Sequence, residues 1–353
     1  MNCRSTIAAA LACIAMYCGS MDLHAAEAIP GRVQAPGLGD PGALQTIAFE
    51  PAATDTLKGA DARRQLIVNG QYASGQVRDL THQVTFEASP AGVVSVDATG
   101  FIVPQADGAV TVTAKAASGQ AAQATIKVEG FSKPTPINFS NQIVPIFTKL
   151  GCNSGGCHGK ASGQNGFKLS LLGFYPNEDY EFLVKEGRGR RLFPAAPDKS
   201  LLLQKATNAV PHGGGHRIDN DSYEYQLIRR WLQQGMPFGA ETDPTVARIE
   251  VRPATRAMER GGQQQIAVLA HYTDGSVEDV TRIAQHEAND PEMAEVTANG
   301  IVKTLDLTGD AAIMVRFQGQ VGVFRASIPL GLKLDKLPAT KNFVDQLVFD
   351  KLK

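Results

Sequence analysis

The chain has 353 residues and a net charge of −1, and its basic residues are not clustered, which excludes the electrostatic footprint of a nucleic-acid-binding or membrane-surface protein. The length is too great for one domain and suggests two or three. Aromatic residues make up only 7% while glycine is common, and this composition favours short β-strands joined by tight turns.

The first 28 residues have the form of a secretory signal peptide. Met1–Arg4 is short and positively charged, and the apolar run Ile7–Tyr17 is too short to span a bilayer. Ala26 and Ala28 supply small residues at the positions that a signal peptidase reads. No later segment has the length and apolarity of a transmembrane helix. The sequence therefore predicts an exported protein, in the periplasm or at the cell surface.

Cysteine usage then narrows the search for a site. Cys3, Cys13 and Cys18 belong to the leader, so the mature chain keeps only Cys152 and Cys157. One close pair in an exported chain of this length is not a disulfide scaffold. The pair is expected to serve a local purpose.

The chain contains an internal repeat at an offset of 200 residues. Gln65–Thr81 matches Gln265–Thr281, and Gly100 matches Gly300. Apolar and polar residues alternate within each copy, with glycine at the turns, as in half-buried strands. The pattern predicts two β-sandwiches of immunoglobulin-domain size. The copies span residues 44–129 and 246–330.

Each copy resembles the bacterial Ig-like domain of group 2. The resemblance is carried by Tyr-x-x-Gly-x-x-x-Asp-x-Thr at Tyr72–Thr81 and Tyr272–Thr281, followed by Val-x-x-x-Gly and an alternating strand. It implies a spacer or an adhesive stalk on an exported protein, which could contact a cell-surface glycan or protein.

Between the copies, residues 136–240 change to a helical period. Ser140 is a plausible N-cap for the first helix, although Pro145 then falls too deep for its first turn. The predicted helices are Phe139–Leu150, Glu178–Glu186, Ser200–Thr207 and Ser222–Gln234. The segment is therefore predicted to be mainly α.

The first of these helices runs into Cys152-Asn-Ser-Gly-Gly-Cys157-His158. A Cys-x-x-Cys-His run attaches c-type haem through two thioethers and makes the histidine an axial iron ligand. Here the spacer has four residues, but it is small and flexible enough to loop out. The prediction is one haem c per chain, with His158 as the proximal ligand.

Three other interpretations of the loop stay open. Cys152 and Cys157 could form a disulfide in an oxidising compartment. The two cysteines, His158 and a later histidine could bind zinc. A redox-active dithiol is a third alternative, although the usual Cys-x-x-Cys spacing is missing.

Residues 151–170, with Gly187–Arg191 and Pro211–Gly215, resemble the cytochrome c-like module of large planctomycete-type exported proteins. This resemblance implies a mainly α central domain between two Ig-like sandwiches. It also implies that residues 340–353 begin a truncated helical domain of unknown function. The arginines at 188, 190 and 191 are expected to be a solvated face, or else to neutralise haem propionates.

Class I cytochromes usually place a methionine before the last helix, where this chain has His212 and His216. His212 is the first candidate for the distal iron ligand, His216 the second and Met236 the third. The leading hypothesis is an exported electron-transfer protein with an unknown redox partner. The alternative is a cell-surface adhesion or scaffold protein with a disulfide-closed central domain. No nucleophile or paired-carboxylate pattern favours an enzyme.

Overall fold

The computed structural model describes residues 36–51, 54–133, 135–332 and 336–352. The predicted signal peptide, residues 1–28, lies outside them. The chain is mostly β, with 34% strand and 19% helix, and its strands form two β-sandwich-like halves. Among the described residues, no helix is long and apolar enough to cross a membrane.

The first sandwich comprises residues 44–129. Its sheets have the strand orders β1-β4-β5, β2-β10-β9-β6 and β3-β8-β7, and β2 runs parallel to β10. Burial alternates along β9, where Val110, Val112 and Ala114 enter the core, as expected for strands with one buried face. The strands are β1 Leu44–Glu50, β2 Thr54–Lys58, β3 Arg64–Gln65, β4 Ile67–Tyr72, β5 Val77–Asp79, β6 Val84–Ser89, β7 Val94–Val96, β8 Phe101–Pro104, β9 Gly108–Ala116 and β10 Ala121–Glu129.

The second sandwich comprises residues 246–328 and repeats this topology strand for strand. Its sheets have the orders β11-β14-β15, β12-β20-β19-β16 and β13-β18-β17, and β12 runs parallel to β20. The strands are β11 Val246–Arg252, β12 Thr255–Ala257, β13 Gln263–Gln265, β14 Ala267–Tyr272, β15 Val277–Asp279, β16 Gln285–Ala288, β17 Ala294–Val296, β18 Ile301–Thr304, β19 Gly309–Phe317 and β20 Gln320–Ile328.

Gly100 and Gly300 explain why the repeat keeps glycine at this turn. Their φ angles are +75° and +80°, in the left-handed region that favours glycine. A Cβ atom at either position would lie 3.1 Å from a backbone oxygen, that of Leu66 or Ile266. Both the conformation and the space exclude a side chain.

The segment between the sandwiches, residues 130–245, is called the central segment. Its α-helices are α1 Val144–Lys149, α2 Pro176–Tyr180, α3 Leu201–Ala206 and α4 Tyr223–Gln233. Phe139–Ile143 and Glu181–Lys185 are π-helical turns, and Leu171–Gly173, Glu186–Gly189 and Pro197–Lys199 are 3₁₀ turns. Beyond the second sandwich, α5 Phe343–Leu352 exposes its apolar side chains.

The predicted fold class, two all-β sandwiches flanking a mainly α cytochrome c-like domain, is wrong. The chain is mostly β, and no helical cytochrome-like central domain is evident in the part that the structure describes. In the central segment only α4 has more than six residues in a regular α-helical run. α1 follows a π-helical turn and α2 continues into one, while α3 ends before Asn208, whose φ of +57° reverses the chain. The apolar periodicity located the helical turns of this segment but predicted longer and more regular α-helices than the structure has.

The start of the first helix also differs from the prediction. Asn138, not Ser140, is the N-cap, and its side chain accepts a hydrogen bond from the Asn141 N–H at 2.9 Å. The π-helical turn after it lets α1 begin at Val144, so that Pro145 falls in the first turn, where proline is tolerated. Ser222 is the N-cap of α4, as its position before the apolar stripe suggests.

The central segment has a small apolar core of its own. Trp231 is fully buried, and its indole N–H donates to the Pro237 carbonyl at 2.8 Å. The ring of Phe139 packs against Trp231 at 5.4 Å and against Tyr180 at 5.3 Å between centroids. The apolar face of α4 therefore closes against the turn that precedes α1.

The two sandwiches are joined by a reciprocal pair of hydrogen bonds. Asp279 Oδ2 accepts from the Gln65 N–H at 2.8 Å, and Asp79 Oδ2 accepts from the Gln265 N–H at 2.5 Å. The four residues are related by the 200-residue offset, so the contact is an internal counterpart of a two-fold interface. Burial raises the pKa of both carboxyl groups above the ordinary aspartate value.

The Asp-x-Thr part of the repeat positions these carboxylates. The other oxygen of Asp79 accepts from the N–H and the hydroxyl of Thr81, at 2.8 and 2.5 Å. The Thr81 hydroxyl in turn accepts from the Val68 N–H at 2.9 Å. Asp79 thus uses one carboxylate oxygen for hydrogen bonds within its own sandwich and the other for a hydrogen bond from the second sandwich.

Lys149, at the end of α1, attaches the central segment to the second sandwich. Its ammonium group donates to the carbonyls of Ala284 and Ala298, both at 2.5 Å. Gln285 Nε2 donates back to the Thr148 carbonyl at 2.7 Å. Burial lowers the pKa of Lys149 to about 8. These contacts make the α1 terminus part of the interface.

We expect Asp279→Ala to expose an amide in the other sandwich. The substitution removes the acceptor of the Gln65 N–H and of the Thr281 N–H, at a cost of about 1–3 kcal/mol for each buried group left unpaired. Hydrogen exchange at Gln65 should accelerate. Asp274→Ala is the control, because Asp274 caps only an exposed turn through Ser276. Equal Gln65 exchange in the two variants would contradict the reciprocal contact.

Candidate functional site

The Cys152–His158 loop folds back directly after α1. Gly151 has φ +71°, which reverses the chain, and the Cys152 N–H donates to the Phe147 carbonyl at 2.8 Å. The His158 N–H then donates to the Cys152 carbonyl at 2.9 Å, which closes the loop on itself. The four small residues between the cysteines allow this closure.

The two thiols have different surroundings. Both cysteines are free, and Cys152 packs against the apolar core of the central segment. Burial raises the pKa of the Cys152 thiol to about 11. The Cys157 Sγ lies 3.9 Å from Arg217 Nη2.

His158 and His212 are brought together with their rings nearly parallel. Their planes differ by 8° and their centroids are 6.4 Å apart. His158 Nδ1 is hydrogen-bonded to the Phe167 carbonyl at 3.0 Å, and His212 Nδ1 to the Gly215 carbonyl at 2.9 Å. A carbonyl partner fixes the proton on Nδ1 and leaves Nε2 as the basic atom, as in many metal-binding histidines. Burial lowers the pKa of His158, which favours this neutral form.

His216 and Met236, the other two candidate distal ligands, contact other groups of the protein. His216 is exposed, and both of its ring nitrogens have partners: Nδ1 the Thr207 carbonyl at 3.1 Å and Nε2 the Asp219 carboxylate at 2.8 Å. Met236 packs against the core, and its carbonyl accepts from the Tyr180 hydroxyl at 2.6 Å.

The two cysteines and the two histidines brought together here are of the residue types that would hold a c-type haem. Cys152 and Cys157 would hold the porphyrin covalently, and His158 and His212 would ligate the iron. Among the described residues, no group of three or more His, Cys, Asp or Glu side chains suited to a metal ion was found.

Arg191 belongs to the arginine cluster that the sequence singled out, but its environment differs from the solvated face expected of that cluster. Instead of lying on a solvated face, it is buried and donates to the carbonyls of Phe182 and Glu186, at 2.9 and 3.0 Å, and of Gly166. Its guanidinium carbon lies 4.8 Å from the Phe167 ring centroid, and the His158 ring packs at 4.6 Å from the same centroid. Arg191 therefore orders the loop whose carbonyl orients His158. No local pattern distinguishes it from Arg188 and Arg190.

No protein-family model matches the chain, and a search of curated proteins found no match. Among solved structures, two fragments of the S-layer protein SbsC and a fragment of N-cadherin of Drosophila share a distant similarity with the chain. Domains 4–9 of SbsC match with a TM-score of 0.31 and 12% identity, over 82% of this chain and 32% of that one. A longer SbsC fragment has a TM-score of 0.22 and 9% identity, over 82% and 28%.

The N-cadherin EC1–4 fragment has a TM-score of 0.18 and 8% identity, over 80% of this chain and 49% of that one. The chain thus spans less than a third of the S-layer fragments and about half of the cadherin fragment. At TM-scores this low, none of these similarities supports an inference about fold or function.

We expect Cys152 to be a slow nucleophile whose alkylation accelerates with pH. In a Cys157→Ser variant, iodoacetamide modification should rise about tenfold per pH unit from pH 8 to pH 10, because the thiolate is the reactive form and burial raises the pKa of Cys152 to about 11. The urea-unfolded variant is the control and should level off near pH 9. A folded protein that levels off at the same pH would contradict the buried environment.

Proposed function

We propose that this protein is an exported binding and scaffold protein of the cell surface, in which two Ig-like sandwiches hold the central segment in a fixed orientation. The observation that carries the proposal is the reciprocal pair of hydrogen bonds from Asp79 to Gln265 and from Asp279 to Gln65. Domains of one chain usually move relative to each other unless contacts across their interface hold them together. The buried pairing makes this chain a rigid unit rather than a flexible stalk.

Contacts around the reciprocal pair add to the rigidity. Arg256 Nη2 of the second sandwich donates to Glu50 and Asn69 of the first, at 3.1 and 3.0 Å. The Arg282 guanidinium lies 3.8 Å from the ring centroid of Phe101. A unit held in this way presents its surfaces at a fixed spacing, which suits a protein that binds a cell-surface glycan or protein partner. The resemblance of each copy to group 2 Ig-like domains agrees with this role.

Binding to isolated cell envelopes tests the proposal. The purified mature chain should sediment with envelope fractions, and Asp279→Ala should reduce that fraction, because undocked sandwiches no longer present one surface. Asp274→Ala is the matched control and should behave as the parent chain. A chain that stays in the supernatant with envelopes of several bacterial types would overturn the proposal.

A second candidate function is electron transfer by a covalently bound haem. It is favoured by the parallel His158–His212 pair and by the two free thiols beside it. Bound haem would supply a one-electron iron centre, with a lower reduction potential for two histidine ligands than for a histidine and a methionine. Within the chain, Phe167 and Gly215 would orient the ligands through their carbonyls. The redox partner is unknown.

Production with a haem-maturation system tests this candidate. The chain should carry haem that survives denaturation, and Cys157→Ser should remove one thioether. His212→Ala should shift the ferric spectrum from low spin toward high spin, whereas His216→Ala should leave it unchanged, because His216 already has two other partners. A colourless protein whose mass shows one hydrogen lost per cysteine would identify a disulfide and exclude haem.

A further inference from the structure

A cleft of about 970 Å³ lies where the two sandwiches and the central segment meet. Its walls come from the turn between β2 and β3, from residues around Gln142 and the start of α4, and from the β14–β15 hairpin. Ligand sites in proteins commonly have volumes of roughly 300–1,000 Å³ and occur at domain interfaces. The reciprocal docking creates this cleft, since neither sandwich alone encloses it.

The charged groups of the cleft wall are mostly paired within the protein. Arg64 pairs with Asp55 at 3.0 Å, and Asp61 pairs with Arg230 at 2.5 Å. Arg63 donates to two backbone carbonyls, both at 2.8 Å, and its guanidinium carbon lies 4.6 Å from the Tyr223 ring centroid. These arginines lie among carboxylates and carbonyls of the same wall and do not form the cluster of unopposed cations that a phosphate site needs. Because acidic and basic side chains are both present, the wall selects neither sign of charge, which favours a neutral ligand.

Polar groups that can still form hydrogen bonds remain in the same wall. The Tyr223 hydroxyl and Gln142 Nε2 make no hydrogen bond to any residue within the described ranges, and both residues line the cleft. Burial raises the pKa of Tyr223 above the ordinary tyrosine value, so that its hydroxyl stays protonated. Gln142 Oε1 is already fixed by the Asn138 N–H at 2.9 Å, which aims the amide.

Glu278 adds an acceptor to these donors. One of its carboxylate oxygens accepts from the buried Tyr272 hydroxyl at 3.1 Å, which leaves further acceptor capacity toward the cleft. A carboxylate, a planar amide and a tyrosine hydroxyl in the wall of one cleft are complementary to vicinal hydroxyl groups, each of which both donates and accepts.

We propose that this cleft binds a neutral oligosaccharide, with Tyr223, Gln142 and Glu278 as the recognition residues. The inference rests on the proposed function as a cell-surface binding protein and names its ligand class and its site. Because residues from all three parts of the chain line the cleft, binding depends on the docked arrangement of the sandwiches.

Calorimetric titration of the full mature chain tests the proposal, with cellohexaose, chitohexaose and maltohexaose as neutral probes and a sulfated oligosaccharide as the charged comparator. At least one neutral probe should bind. Glu278→Gln and Gln142→Glu should each weaken it about tenfold or more, which corresponds to about 1.4 kcal/mol. Gln142→Glu keeps the acceptor for Asn138 and removes only the donor, so the fold should be retained.

Tyr175→Ala is the control, because Tyr175 is exposed and does not line the cleft. Tyr223→Ala should abolish binding, and thermal unfolding of each variant verifies its fold. Three results would each overturn the proposal. They are binding of the sulfated probe alone, binding of neutral probes that is as strong in all three cleft variants as in the parent chain, and no binding at all. Envelope sedimentation separates the two claims: a chain that sediments with envelopes but binds no oligosaccharide keeps the scaffold function and loses this site.

Discussion

The arrangement of the molecule depends on two buried carboxylates that each serve two sandwiches. Asp79 and Asp279 use one oxygen to fix their own Asp-x-Thr turn and the other to accept an N–H from the opposite copy. Burying a carboxylate is costly unless its oxygens are hydrogen-bonded, and these are. Separation of the sandwiches would exchange these two hydrogen bonds for bonds to water, so each favours the docked form by about 0.5–1.5 kcal/mol.

This constraint determines what the rest of the chain can do. With the sandwiches docked, the central segment is held between fixed walls, and Lys149 reaches carbonyls of the second sandwich rather than solvent. The three-part cleft exists only in that state. A chain with a free hinge between its sandwiches would have the same strands and the same cores, but no such shared surface.

Contacts between residues close together in the sequence organise the Cys152–His158 loop. Its backbone closes on itself, and His158 meets His212 because each ring is held by a nearby carbonyl. His212 lies in a glycine-rich turn, while His216 is held by Asp219. The haem proposal rests on the chemistry of these side chains, because no helical cytochrome-like domain is evident in the described residues.

The sequence alone was enough to identify the duplication, the turns at Gly100 and Gly300, the helix start at Ser222 and the isolated cysteine pair, because these follow from local patterns and conformational limits. It overestimated the helical character of the central segment, since apolar periodicity does not distinguish a regular α-helix from a short α-helical run joined to a π-helical turn. It also gave no sign that Asp79 would pair with Gln265, that Arg191 would be buried, or that Tyr223, Gln142 and Glu278 would share one cleft. Those relations join residues far apart in the chain, and only the packing of three separate cores decides which of them meet.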